Sequence, residues 1–241
     1  MKHLALSLIA GTASIVAMAQ AQPDVHAGDQ WTYEATIERA PAVWNKSTID
    51  VTATRVTPTS IYVDIKQSGS TQPPRSLVVG ADWSRSRDVN GKQTVVNRPF
   101  AFPLDAGKSW KVDYSEDHPN RAHRLEQWDQ KFQVVGYEAI DVPAGHFNAL
   151  KIESEGRWNA ELEPAAAVAQ NAVVTQNNTT MITQSQRVAA RPVSGRAYKA
   201  YWYVPEIKRW VKSVEEVYSS ADVRTERTTE ELVAFKPAAA P

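Results

Sequence analysis

The sequence predicts an all-β protein: an antiparallel sheet of about ten strands that forms a sandwich or a half-open barrel. Three observations carry this. Short apolar runs alternate with polar residues at period two. Turn residues punctuate them at close intervals, and no stretch after residue 21 shows the spacing of a long amphipathic helix. Eight tryptophans are spread along the chain, and bulky aromatics favour the pleated surface of a sheet.

The chain opens on Lys2 and His3, followed by an apolar run from Leu4 to Met18 that ends in small residues. A basic start, a short apolar middle and a small-x-small exit describe a secretory signal peptide over residues 1–21, with Ala19 and Ala21 both fitting as the cleavage point. The run falls short of the roughly 20 residues that span a bilayer. Export to the periplasm, or secretion, is therefore expected, with no membrane span in the mature chain. The sequence has no cysteine. That removes disulfides, thiolate metal sites, thiol catalysis and a lipid anchor on cysteine. Lys and Arg number 27, as do Asp and Glu, so no general electrostatic pull toward nucleic acid arises.

Residues 22–235 read as a single all-β domain. Gln30–Glu38 is a first strand. Ser47–Arg55 and Ser60–Lys66 form a hairpin, with Ile49, Val51 and Ala53 on one face of the first arm and Ile61, Val63 and Ile65 on one face of the second. Pro73-Pro74 marks a loop before a short strand at Ser76–Val79. Asn90-Gly91 joins Asp82–Asp88 to Lys92–Asn97, because both residues tolerate the positive φ of a tight hairpin turn. Arg98–Pro103 is an aromatic, proline-bounded connector, and Lys108–Tyr114 a further strand. Ser115–Arg124 is polar and reads as a loop.

Two β-rich runs flank Pro143-Ala144-Gly145, where proline presets one turn dihedral and glycine supplies a positive φ. Trp128, Phe132 and Val134 share a face of the first arm; Leu150 and Ile152 lie on the second. Residues 164–194 turn Ala-rich and then Gln/Thr/Asn-rich, and read as a flexible insertion. Ala197–Val204 and Ile207–Tyr218 flank Pro205-Glu206 and are apolar on both faces, as in a strand covered on two sides. Val223–Phe235 alternates threonine with charge, a solvated ladder suited to a sheet edge. Residues 236–241 read as a disordered tail.

Reaction signatures are missing: there is no Gly-x-Ser-x-Gly, Ser-x-x-Lys or His-Glu-x-x-His motif and no phosphate-cradling glycine loop. The dense polar cluster at 116–129 offers His118, His123 and Asp129. A five-residue spacing puts the two histidines on opposite faces of a strand, so only a loop could converge them, and a solvated loop is the plainer reading. No metal site, cofactor or catalytic residue is assigned.

The segments Phe102–Trp110, Val134–Lys151 with its Val-Pro-Ala-Gly-His-Phe run, and Tyr201-Trp-Tyr-Val-Pro-Glu resemble an uncharacterised group of exported bacterial proteins with TapB-like domains of unknown function. The resemblance covers residues 100–235 best, and 164–194 fits its pattern least. It implies a periplasmic all-β protein and transfers no catalytic residue. Three functions stay open. The first is a non-enzymatic binding protein whose concave face, lined from among Trp110, Trp128, Trp202 and Trp210, takes a hydrophobic small molecule, a lipid or a glycan. The second is a cell-envelope assembly partner docking through the Thr/charge edge or through 164–194. The third is an unrecognised hydrolase of envelope polymers using His118, His123 and Asp129.

Overall fold

The computed structural model describes residues 20–41, 43–163, 175–176, 179–180 and 192–239. The expected signal peptide, apart from its last two residues, and most of 164–194 lie outside them. Ten strands form one antiparallel sheet that does not close into a barrel. In chain order they are β1 (Gln30–Arg39), β2 (Val43–Val56), β3 (Ser60–Gln67), β4 (Arg75–Gly80), β7 (Ser109–Asp117), β8 (His123–Val142), β9 (Gly145–Leu162), β12 (Pro192–Val204), β13 (Arg209–Ser219) and β14 (Arg224–Lys236). Between them, β5 (Arg85–Val89) and β6 (Lys92–Asn97) form a separate hairpin, and β10 (Thr175–Gln176) pairs with β11 (Thr179–Thr180). The sheet order is β4-β3-β2-β1-β14-β13-β12-β9-β8-β7.

Most strands follow their sequence pattern. Val51 and Ala53 of β2 and Ile61 and Val63 of β3 are buried on one face, as period two requires. Val134 faces Ile152 across the β8–β9 hairpin, which turns where Gly145 takes φ 135°. The polar stretch 115–124 shortens to a turn, because β7 runs to Asp117 and β8 starts at His123.

The last strand corrects the sequence reading. β14 is no edge: it lies mid-sheet, pairing with β1 on one side and β13 on the other. Its charges are accommodated because the neighbouring strands answer them, Lys212 meeting Glu231 at 2.6 Å and Arg39 meeting Glu226 at 2.7 Å. The true edges are β4 and β7.

Register assigns the two faces. The inner face carries Trp31 and Tyr33 of β1, Leu232 of β14, Tyr201 and Tyr203 of β12, Ile152 of β9 and Phe132 of β8, all essentially excluded from solvent. The β5–β6 hairpin and the connector after it lie across this face. Phe100 of the connector packs on Tyr203 (4.9 Å between ring centroids), Trp210 (6.1 Å) and Tyr201 (6.2 Å). Trp83, just before β5, meets Trp31 edge-on at 5.2 Å and donates its indole N–H to Lys208 O. It adopts a left-handed φ of 62°, a cost of about 1 kcal/mol for an L residue that its burial offsets.

The hairpin is latched to the exposed edge of β7. Asn90 accepts from the Asp117 N–H (2.9 Å) and donates to Ser115 O (3.2 Å), while Arg87 pairs with Glu116. Covering an edge in this way protects it from pairing with another chain.

The segment before β1 and the segment after β14 meet at Asp29, which is fully buried. Its carboxylate accepts the His26 and Ala238 N–H groups and the Lys208 ammonium, each at 2.8 Å. The tail expected to fray from residue 236 is thus held as far as Ala238. Burial pushes the Asp29 pKa up, but these donors and the Lys208 charge outweigh it and hold it below the usual 3.8. Asp29→Ala should cost about 2–3 kcal/mol in urea unfolding, by leaving two backbone donors and a lysine unanswered. It should also release the Ala238 amide to fast hydrogen exchange. Because the folded pKa is depressed, this contribution is complete above 3.8 and is lost as pH falls through the folded value.

Candidate functional site

The inner face is filled at one end and hollow at the other. Where Trp31, Trp83, Phe100, Tyr203 and Trp210 meet, rings fill the space. Beyond them, between the sheet and the β5–β6 hairpin, lies a cavity of about 430 Å³ with Leu77, Val79, Val96, Val217 and Trp128 in its wall. A smaller chamber of about 160 Å³ adjoins it, reaching Trp83, Arg209 and Trp210. Arg75, Leu77, Val79, Arg85 and Glu215 border both.

A polar chain runs along the wall shared by these spaces. Tyr201 Oη donates to Glu215 Oε1 (2.8 Å), and Asn97 Nδ2 donates to Tyr201 Oη (3.2 Å). Lys199 Nζ donates to Asn97 Oδ1 (3.0 Å) and lies 3.8 Å from Glu215 Oε2. Strand pairing builds this arrangement: Lys199 sits directly opposite Glu215, and Tyr201 opposite Ser213, across β12 and β13. Burial lowers the Lys199 pKa, with Glu215 opposing the shift. Burial would raise the Glu215 pKa, but Lys199, Arg85 and the Tyr201 hydroxyl hold it below its usual value. The Tyr201 hydroxyl is pushed well above its usual value by burial and by Glu215.

Of the four tryptophans expected to share one concave lining, two face these spaces. Trp128 borders the larger, in a row with Tyr114 and Trp158 at 6.4 Å each, and Trp210 borders the smaller. Trp110 stacks flat on Phe132 at 5.5 Å and donates to Arg98 O, so it anchors the connector. Trp202 is on the opposite face, 8% exposed beneath the ammonium groups of Lys151 (5.2 Å) and Lys212 (5.9 Å). Tyr201 and Tyr203, one residue to either side of it, face inward as period two requires, and a register shift that skips Val211 sets Trp210 of β13 opposite Tyr203.

The polar cluster does not converge. His118, in a turn at φ 49°, lies 3.1 Å from Glu163. His123 Nδ1 lies 2.7 Å from Glu126 and its ring stacks on Trp158. Asp129 is opposite Asp113 and Arg157, on the face turned away from Trp128. Among the described residues no group of three or more His, Cys, Asp or Glu could hold a metal ion.

Sequence reasoning missed Lys199, Tyr201, Glu215, Asn97 and Arg209. The available signal was a charge at inward parity in each of two neighbouring strands, Lys199 between Ala197 and Tyr201, and Glu215 between Ser213 and Val217. It becomes informative only once the pairing is known.

No family model matches the chain, and no curated protein does. Among solved structures, it is similar to a Parabacteroides distasonis protein described as a lipoprotein (14% identity, TM-score 0.44, 91% of this chain and 100% of that one). It is also similar to a Bacteroides fragilis protein described as exported and of YmcC-like fold (14%, 0.41, 91% and 100%). A third is an Escherichia coli protein, YmcC, described as a hypothetical lipoprotein (10%, 0.34, 87% and 86%). Likeness at this level says nothing about a ligand or a reaction.

Proposed function

We propose that this is an exported, periplasmic binding protein, non-enzymatic, that holds an amphipathic small molecule between its sheet and the β5–β6 hairpin. The observation that carries the reading is the cavity of about 430 Å³, walled by aliphatic side chains and Trp128 and bordered by Arg75, Arg85 and Lys199. Sites for small ligands are concave and mostly apolar, with a few placed polar groups, and run to about 300–1,000 Å³. Export is supported by the signal-like residues 1–21.

The alternatives have less behind them. Docking through a Thr/charge edge loses its surface, since β14 is interior to the sheet. A hydrolase built on His118, His123 and Asp129 would need these residues in one place.

The test is calorimetric titration of the purified, delipidated protein with decanol and decanoate, alongside native mass spectrometry of the protein as isolated. Binding of a chain amphiphile is expected. Val217→Phe, which fills the larger cavity, should weaken it at least about tenfold, the equivalent of some 1.4 kcal/mol, with little change in the circular dichroism. Binding untouched by Val217→Phe, or none of any amphiphile, would remove the reading.

A further inference from the structure

The smaller chamber contains a buried cation that the protein leaves without a hydrogen-bonded anion. Arg209 is 7% exposed, and its Nε and Nη1 are buried with no hydrogen-bond partner. Four aromatic rings surround its guanidinium carbon, Trp210 at 3.9 Å, Trp83 at 4.8 Å, Tyr33 at 4.9 Å and Trp31 at 6.0 Å. Their negative faces attract the charge but offer no lone pairs in the plane of its N–H groups. Glu230, one of the two carboxylates lining the smaller chamber, is taken up by the Trp210 indole N–H (3.0 Å) and the Ser213 hydroxyl (3.4 Å), and no ion pair to Arg209 forms among the described residues.

The charge lining the two spaces is positive in excess. Among the described residues Arg75 and Arg85, which border both spaces, form no ion pair either. Two other charged lining groups are already satisfied from outside, Arg87 by Glu116 and Glu216 by Arg224. What remains is four cations (Arg75, Arg85, Lys199, Arg209) against two carboxylates (Glu215, Glu230).

The geometry points to an oxyanion headgroup, a carboxylate or phosphate monoester ending an alkyl chain, as the part of the ligand that the smaller chamber takes. Arg209 forms its floor and Arg75 and Arg85 its rim, with the chain lying along Leu77, Val79 and Val217. The inference rests on the binding reading above and specifies its ligand class. A planar guanidinium presents donors that match two oxygens of one carboxylate or phosphate, and such charge-assisted bonds strengthen where water is excluded. The aromatic cage fixes the guanidinium before the ligand arrives, so little ordering remains to be done on binding.

Four probes of one chain length separate the possibilities: decanoate, decyl phosphate, decanol and decyltrimethylammonium, titrated calorimetrically into the delipidated full-length mature protein. At least one anion should bind about tenfold or more tighter than decanol, the worth of a single charge-assisted hydrogen bond, and the ammonium should bind weakest. Preference for decanoate assigns a free fatty acid, and preference for decyl phosphate a phosphorylated lipid. Arg209→Met should bring the anions down to the affinity of decanol, weakening decanol itself by far less than it weakens either anion. Arg85→Gln, at an exposed position, reads the same loss in smaller measure should Arg209→Met fail to fold. Equal affinity for decanol and both anions, or tight binding of the ammonium, overturns the headgroup assignment and leaves the cavity reading standing. Binding of none of the four removes the cavity reading itself.

Discussion

Phe100→Ala should lower the free energy of unfolding by about 3–5 kcal/mol, the range for emptying a fully buried aromatic site. Phe100 has no exposed surface. It is the contact through which the β5–β6 layer grips the sheet, meeting Tyr201, Tyr203, Trp210 and Phe102. Those neighbours come from β12, β13 and the connector itself, and rigid rings close poorly over a hole, which favours the upper part of the range. Val78→Ala, on the exposed side of β4, should by contrast stay within about 0.5 kcal/mol. Urea unfolding followed by tryptophan fluorescence measures both. A loss below about 1.5 kcal/mol for Phe100→Ala, the size of a single buried methylene or two, would mean that the hairpin layer is not part of the cooperative core. The same variant should loosen the roof of the cavity and weaken amphiphile binding.

Phe100 also shows where the sequence ceases to be readable. The arms of β2 and β3 were legible because period two repeats within each strand, and the β5–β6 turn because Asn90 and Gly91 both take the positive φ their residue types tolerate, 52° and 80°. Arg98–Pro103 has no period, so it read as a connector; that it carries the central plug of the core depends on contacts with residues a hundred positions away. The tryptophans divide for a related reason. Trp110 and Trp128 lie on one face because Trp110 is four residues from Tyr114 within β7, Trp128 four from Phe132 within β8, and Trp110 pairs with Phe132 and Tyr114 with Trp128. Trp202 and Trp210 cannot be placed that way, since a register shift after Trp202 resets the parity between β12 and β13. β14 misled because its threonines and charges look solvated, whereas cross-strand ion pairs on the outer face and the chamber on the inner face accommodate them. The binding site inherits this limit: Lys199 and Glu215 are sixteen residues apart, and only the pairing of β12 with β13 makes them opposite numbers.

Glu215→Gln should cost about 3 kcal/mol near neutral pH, because it leaves the Lys199 ammonium under the hairpin with no carboxylate. The low end of the range for broken buried pairs applies, since Glu215 is reached by solvent through the cavity and screened there. Lys199→Met should cost less, about 1–2 kcal/mol: Glu215 then still keeps the Tyr201 hydroxyl at 2.8 Å and the field of Arg85. The double variant should fall short of the sum of the two by about 1–2 kcal/mol, as coupled neighbours do. Acid separates the roles further. The Glu215 pKa is depressed from 4.5, so its contribution is present above that value and is lost as pH falls through the folded pKa. The gap between the protein and its Glu215→Gln variant should therefore narrow in acid. In alkali the wall pulls two ways. Lys199, depressed from 10.5, binds its proton less readily folded than unfolded, so its penalty is relieved as pH rises through the folded value. Tyr201, raised well above 10.0, stays protonated when folded, so its unfolded form gains by ionising and stability falls above that pH. In Tyr201→Phe the alkaline loss should shrink while the acid limb remains. A gap between protein and Glu215→Gln that stayed constant from neutral pH into acid would show that the carboxylate holds no depressed pKa, and that the polar chain between Lys199 and Tyr201 is not assembled in solution.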